Sequence, residues 1–118
     1  MRPLPILRTR GQFLTVHRQG KRIGGKLLVL WVLRQPTPTG QRLGLTVSRR
    51  VGNAVCRNRV RRRLKELLRC HPQWMRAAYD HIVVAQPAAA WASTDQLEAE
   101  LAELVGRWKR REPSLSTA

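Results

Sequence analysis

A chain of 118 residues holds enough material for one domain with a modest core and too little for two domains of ordinary size. Lys and Arg number 23 against 7 Asp and Glu, a formal charge of +16, so the folded chain surrounds itself with a positive field that a polyanion would neutralise. The first ten residues are broken by Pro3 and Pro5 and lack the apolar run of a secretory signal, and the most apolar stretch, Leu27 to Leu33, has the length of a strand and not of a bilayer span. The chain is therefore expected in the cytoplasm, without a membrane partner.

Thr9 followed by Gln12 forms a capping box that opens a short helix, in which Phe13, Val16 and His17 share a face and which Gly20 ends. Lys26 to Arg34 contains the apolar, β-branched and aromatic run Leu27-Leu28-Val29-Leu30-Trp31-Val32-Leu33 between a Gly24-Gly25 pair and Pro36, and reads as a central strand. Gln35 to Arg42, with Pro36, Pro38 and Gly40, has turn chemistry. The next residues alternate, with Leu43, Leu45 and Val47 on one face and Gly44, Thr46 and Ser48 on the other. A hairpin joining these two strands is the economical expectation. The small-residue face is either a shallow trough for an extended ligand backbone or an ordinary solvated face, and the alternation does not choose between them.

After Gly52, Asn53 caps a helix that runs to about Cys70, with Pro72 as its stop. His81 to Gln86 reads as a further strand. Ser93 and Gln96 make a second capping box, before a helix carrying Leu97, Leu101, Leu104, Val105 and Trp108 on one stripe. The tail 112–118 lacks any period and is expected to be disordered, leaving 1–111 as a single domain. This order predicts an α/β sandwich, α+β in class, with a mixed central sheet of about four strands and helices packed on it. Cys56 and Cys70 lack paired ligand spacing and are expected to be reduced, partly buried thiols.

The helix after Asn53 carries the functional signal. Val60, Leu64, Leu67 and Leu68 fall within one narrow arc of the helical wheel, which should face the sheet. Arg57, Arg61 and Lys65 line one edge of that arc with Asn58 beside them, and Arg59, Arg62, Arg63 and Arg69 spread over the outward side. Glu66 is the only acid between Arg49 and Arg69, so the helix repels itself where a solvated helix would pair its charges, and bound phosphate would relieve the repulsion. Arginine suits bidentate phosphate contact and stacking on bases. Arg49, Arg50 and the amides at the helix start near Gly52 and Asn53 add an anion-favouring terminus. Neutralising about eight phosphates predicts a slope of log affinity against log salt on the order of −6. No helix-turn-helix, zinc finger, zipper or aromatic sheet motif of the common single-strand RNA-binding domain is present, which leaves RNA modestly ahead of DNA.

The run from Ser48 to Glu66, Ser-Arg-Arg-Val-Gly-Asn-Ala-Val-Cys-Arg-Asn-Arg-Val-Arg-Arg-Arg-Leu-Lys-Glu, closely resembles the signature of the bacterial ribonuclease P protein subunit, with Arg57-Asn58-Arg59 as its core. The resemblance extends to the first helix, the long strand, the late strand and the last helix. It implies that family's fold, with the basic helix in a crossover, and a part in 5′ maturation of precursor tRNA. There a large catalytic RNA performs Mg²⁺-dependent phosphodiester hydrolysis and the protein assists. Carried over by residue, it implies RNA contacts for Arg57, Asn58, Arg59, Arg61, Arg62 and Lys65. It also implies a cleft for the single-stranded 5′ leader, with Phe13 and Trp31 as its aromatics and Ser48 at its floor. His17 stands where the family often has Phe or Tyr. For Phe13 and Trp31, plain core packing is the competing reading.

A self-contained nuclease would need clustered carboxylates or an acid and base pair. The acids are instead concentrated on the last helix, and His17, His71 and His81 are scattered without a recognisable partner, so no catalytic residue, metal site or organic cofactor is expected in the chain. The resemblance assigns Mg²⁺ mainly to the RNA subunit and substrate, with no protein partner required. A ribosomal or RNA-chaperone protein without catalysis is the alternative, and a DNA-binding regulator a third class.

Overall fold

Residues 6–112 are described by the computed structural model. Helix α1 (Arg10–Gln19) starts at the expected box: Thr9 Oγ1 accepts from the Gln12 amide at 3.1 Å and Gln12 Oε1 accepts from the Thr9 amide at 3.1 Å. Gly20 closes it, its N–H donating to Val16 O at 2.8 Å. A short strand that the pattern did not announce follows, β1 (Lys21–Gly24), in which Ile23 alone is buried. The remaining strands are β2 (Leu28–Arg34), β3 (Arg42–Val47) and β4 (Tyr79–Ala85). The long helices are α2 (Ala54–Cys70) and α3 (Thr94–Arg111), and 3₁₀ turns occupy Arg49–Val51, Pro72–Trp74 and Pro87–Trp91.

The four strands form one mixed sheet in the order β1-β2-β4-β3, antiparallel except for the parallel pair β3 and β4. The hairpin expected between β2 and β3 is not formed. Both edges of β2 are taken, by β1 from Lys21 opposite Val32 and by β4 from Leu28 opposite Ala85 to Arg34 opposite Tyr79. The apolar strand β4 gains more from the interior position than β3, whose Gly44 and Thr46 suit an edge. The connection is built for the longer path. Buried Gln35 accepts from the Thr39 amide at 2.8 Å and donates to Gly40 O at 2.7 Å and Asp80 Oδ1 at 2.9 Å, and Arg42 grips Asp80 through Nε and a terminal nitrogen at 2.7 and 2.8 Å. Helix α2 is then the crossover between the parallel strands.

One face of the sheet holds the main core. Leu28, Leu30, Val32, Leu43, Val47, Val83 and Ala85 meet Val60, Leu64, Leu67 and Leu68 of α2 and Leu97, Leu101, Leu104, Val105 and Trp108 of α3. Glu100 joins α3 to the turn before β2, accepting from the amides of Lys26, Leu27 and Leu28 at 3.1, 2.8 and 2.6 Å. The other face carries a smaller cluster, Leu7, Val16 and Ile82, with Phe13, Trp31, Leu33 and Val84 packed against it.

Three further expectations need correction. Glu112 does not begin a loose tail: its carboxylate accepts from Tyr79 Oη at 2.7 Å and Trp108 Nε1 at 3.1 Å, and its carbonyl oxygen accepts from Arg76. The rest of the expected tail, 113–118, lies outside the described residues. Cys56 is half-buried and free as expected, but Cys70, also free, is exposed. Two of the histidines thought to lack partners are well held. His81 is buried between Arg42 O, 2.9 Å from Nδ1, and the Arg76 amide, which donates to Nε2 at 3.0 Å, and burial lowers its pKa from 6.5 to about 4. His71 lies 2.7 Å from Glu98 and stacks on Trp74. No helix among the described residues is long and apolar enough to cross a membrane.

Candidate nucleic-acid interface

The chain reaches α2 through a tight corner. Ser48 Oγ accepts from the Arg50 amide at 3.3 Å, capping the Arg49–Val51 turn, and Gly52 follows with φ +154°, a value side chains with a Cβ rarely adopt. Asn53 Oδ1 then accepts from the Cys56 amide at 2.9 Å, so this side chain caps the helix, and Arg49 and Arg50 stand exposed at its start. With Val60, Leu64, Leu67 and Leu68 buried against the sheet, the outward side of α2 presents exposed Asn58, Arg59 and Arg62. Arg57, Arg61 and Lys65 are half-buried along one flank, with Arg61 donating to Asn58 Oδ1 at 3.0 Å. Arg63 departs from the expected outward fan: it is half-buried and donates to Ala92 O at 3.1 Å.

What makes this surface cationic is the placement of the acids. Asp80 is held by Arg42, Glu66 by Arg69, Glu112 lies 3.5 Å from Lys21, Glu103 lies 3.9 Å from Arg107, and Glu98 is on His71. Glu100 is occupied by backbone amides. Among the described residues, Arg69 is the only base of α2 with a carboxylate partner, so the remaining six cations of the helix, Arg57, Arg59, Arg61, Arg62, Arg63 and Lys65, are uncompensated. Interspersed acids would cancel such a field within about one Debye length of 8–10 Å; their segregation preserves it.

On the opposite face of the sheet, α1 covers only part of the strands. An open cleft of about 270 Å³ remains, lined by His17, Trp31 and Ser48 together with Arg22, Arg50, Val29, Val84 and Gln86. His17 stands edge-on to Trp31, ring centroids 4.8 Å apart. Phe13, one turn before His17 on the same face of α1, belongs with Trp31 to the smaller cluster on this side of the sheet. Its ring covers Gly44, where a Cβ would lie 2.6 Å from two of its carbons, and it lines a separate cavity of about 200 Å³ with Ile6, Leu7, Leu43, Leu45, Arg61 and Lys65. At Gly44 the small-residue face is therefore neither an open trough nor solvated but covered by Phe13, and the open part of that face lies further along, towards Ser48.

The chain matches the family Ribonuclease P over residues 1–109. It belongs to the ribonuclease P protein family. Relatives named ribonuclease P protein component include one from Acidothermus cellulolyticus, 37% identical over 113 residues, covering 95% of this chain and 94% of that protein. Another, from Brucella melitensis, is 42% identical over 109 residues, covering 84% and 76%. The solved RNase P protein of Staphylococcus aureus superposes with a TM-score of 0.81 at 25% identity, covering 91% of this chain and 97% of that one. As a ribonuclease P family protein the chain places its signature run, Ser48 to Glu66, on the corner and the first three turns of α2.

Sequence reasoning missed Arg22 and Gln86 as cleft residues. Arg22 belongs to a strand with a single buried residue, and Gln86 follows β4 where its apolar run stops, so neither carries a periodic signal. What could have drawn attention to Arg22 is its position two residues after the Gly20 cap, at the start of a strand that pairs it with Trp31.

Proposed function

We propose that this chain is the protein subunit of ribonuclease P, binding the catalytic RNA through α2 and the 5′ leader of precursor tRNA through the open cleft, to assist Mg²⁺-dependent endonucleolytic removal of the leader. The observation that carries the reading is the one-sided helix: α2 buries Val60, Leu64, Leu67 and Leu68 on the sheet and keeps six cations free of carboxylates around Arg57-Asn58-Arg59. A folded protein that tolerates such self-repulsion is built for a polyanion, and the family membership makes that polyanion the RNA of ribonuclease P. Arg59, Arg62 and Asn58 meet phosphates and sugars from the outward side; Arg61, Lys65 and Arg57 serve the flank; Arg49, Arg50 and Asn53 serve the helix start.

The cleft complements this. Trp31 and His17 offer ring faces and edges to unstacked bases, Arg22 and Arg50 offer charge to the backbone, and Val29 and Val84 give an apolar floor. The residues do not suit a protein-held metal: among those described, no three His, Cys, Asp or Glu side chains converge. In this reading Mg²⁺ belongs to the RNA and its substrate, and the protein acts by binding and positioning, in the cytoplasm.

The test is cleavage of a precursor tRNA at low Mg²⁺ by a bacterial ribonuclease P RNA, with and without the chain. Strong stimulation at the mature 5′ end is expected. RNA binding without stimulation would favour a ribosomal or chaperone protein. Arg59→Ala and Arg62→Ala should each weaken binding to the RNA subunit and lower the salt slope by about one.

A further inference from the structure

The four tryptophans of the chain are used differently. Trp74 and Trp108 are buried and Trp31 is half-buried in the cleft, but Trp91 is 88% exposed. Its backbone is nevertheless fixed. Pro87 opens the 3₁₀ turn, Ala89 and Ala92 on either side of the tryptophan are buried, and the Ala92 N–H closes the turn on Ala89 O at 3.3 Å. A large flat side chain is held out into solvent by a rigid support.

The position of that support is specific. The Pro87–Trp91 turn packs against both the Arg49–Val51 turn and α2, and Arg63 ties it to α2 through the hydrogen bond to Ala92 O at 3.1 Å. Arg59 lies one helical turn before Arg63 on the same side of α2, and Val55, 71% exposed, one turn before that. The turn that carries the indole thus lies where the two basic elements meet, against the side of α2 that bears Arg63 and Arg59, which have no carboxylate partner. An isolated apolar residue on a neutral surface would need no explanation. An acidic protein surface would answer the arginines but not the bare ring. A nucleic acid answers both, since every unpaired base offers a π-face and every nucleotide a phosphate.

We propose that Trp91 is a stacking platform for an unpaired base of the RNA docked on α2, with Arg59 on the adjoining phosphate. The proposal rests on the reading of α2 as the RNA-docking helix, and it adds a contact outside both that helix and the leader cleft.

The experiment compares the full chain with W91A and W91F, using a bacterial ribonuclease P RNA as the probe. Affinity is measured across a salt series, and acrylamide quenching of tryptophan emission is followed with and without RNA. W91A is expected to lose about tenfold in affinity at every salt concentration, the scale of one base–aromatic stack, with an unchanged salt slope because no phosphate contact is removed. W91F should recover most of the loss. RNA should shield the wild-type emission from acrylamide, and the W91F protein should lack most of that shielding. Equal affinity of W91A and wild type, with Trp91 still open to quencher in the complex, overturns the proposal. So does a W91A-dependent change in sedimentation without RNA, which would assign the indole to a protein contact. Failure of the wild type to bind the RNA at all would bring down the reading of α2 itself, and is told apart because no variant then has affinity to lose.

Discussion

The two faces of the sheet are built from the same strands and put to opposite uses. On one, α2 and α3 close over large aliphatic side chains and leave Leu64, Leu97, Leu101, Leu104 and Trp108 without solvent contact. On the other, the short helix α1 seals one half with Val16 and Phe13 and leaves the rest open around Trp31, His17 and Ser48. The difference shows how a small domain keeps a binding surface: stability is concentrated on one side, so that apolar and aromatic groups on the other can remain exposed to a ligand.

That division is open to test by substitutions on each side. The largest effect is expected at the closed face. Leu64→Ala leaves a cavity between α2 and the sheet and should cost about 3–5 kcal/mol in urea unfolding; a cost below about 1 kcal/mol would mean that α2 is not anchored there. Next comes acid sensitivity beside the same core. His81 is buried neutral with its pKa lowered to about 4, so between about pH 6.5 and 4 the unfolded chain binds a proton that the native chain does not. Its contribution is intact above pH 6.5 and is lost as pH falls through that window, by up to about 3 kcal/mol. His81→Gln, which cannot titrate, should flatten the fall in unfolding free energy over that range.

The open face should respond less in stability and more in binding. Gly44→Ala tests its sealed half: the new methyl would lie 2.6 Å from the Phe13 ring, and the displacement should cost about 1–3 kcal/mol, measured by thermal unfolding. In the unsealed half, His17 is exposed, and His17→Ala should leave stability within about 0.5 kcal/mol of wild type. Its effect belongs in affinity for a precursor tRNA carrying a leader, lowered roughly fivefold if one base contact is lost, with a leaderless tRNA bound as before. Equal losses for both substrates would remove His17 from the leader cleft.

Much of this was legible because the signals are local. The Thr9–Gln12 and Ser93–Gln96 boxes, the Asn53 cap and the stripes Val60-Leu64-Leu67-Leu68 and Leu97-Leu101-Leu104-Val105-Trp108 depend on residues within a turn or two of one another, and each stands where the pattern put it. The strand β1 escaped notice because four residues with one buried side chain carry no period. The site was legible to the same degree: α2 declared its apolar arc and its surplus of arginine, whereas the bend of Arg63 towards Ala92 depends on a turn more than twenty residues downstream, and the exposure of Trp91 on how that turn packs against α2.

By itself, then, the sequence determined the helices, their buried faces, the excess of positive charge and, through the run around Arg57-Asn58-Arg59, the family. Tertiary structure alone decided that β4 and not β3 lies beside β2, that the Phe13 ring covers Gly44 while His17 stands edge-on to Trp31, and that Asp80, Glu98, Glu100 and Glu112 are bound into contacts away from the outer face of α2. The reason is physical. Helix caps and periodic burial are set by neighbours along the chain, while strand order, ring placement and charge pairing follow from which distant segments exclude water from each other most completely.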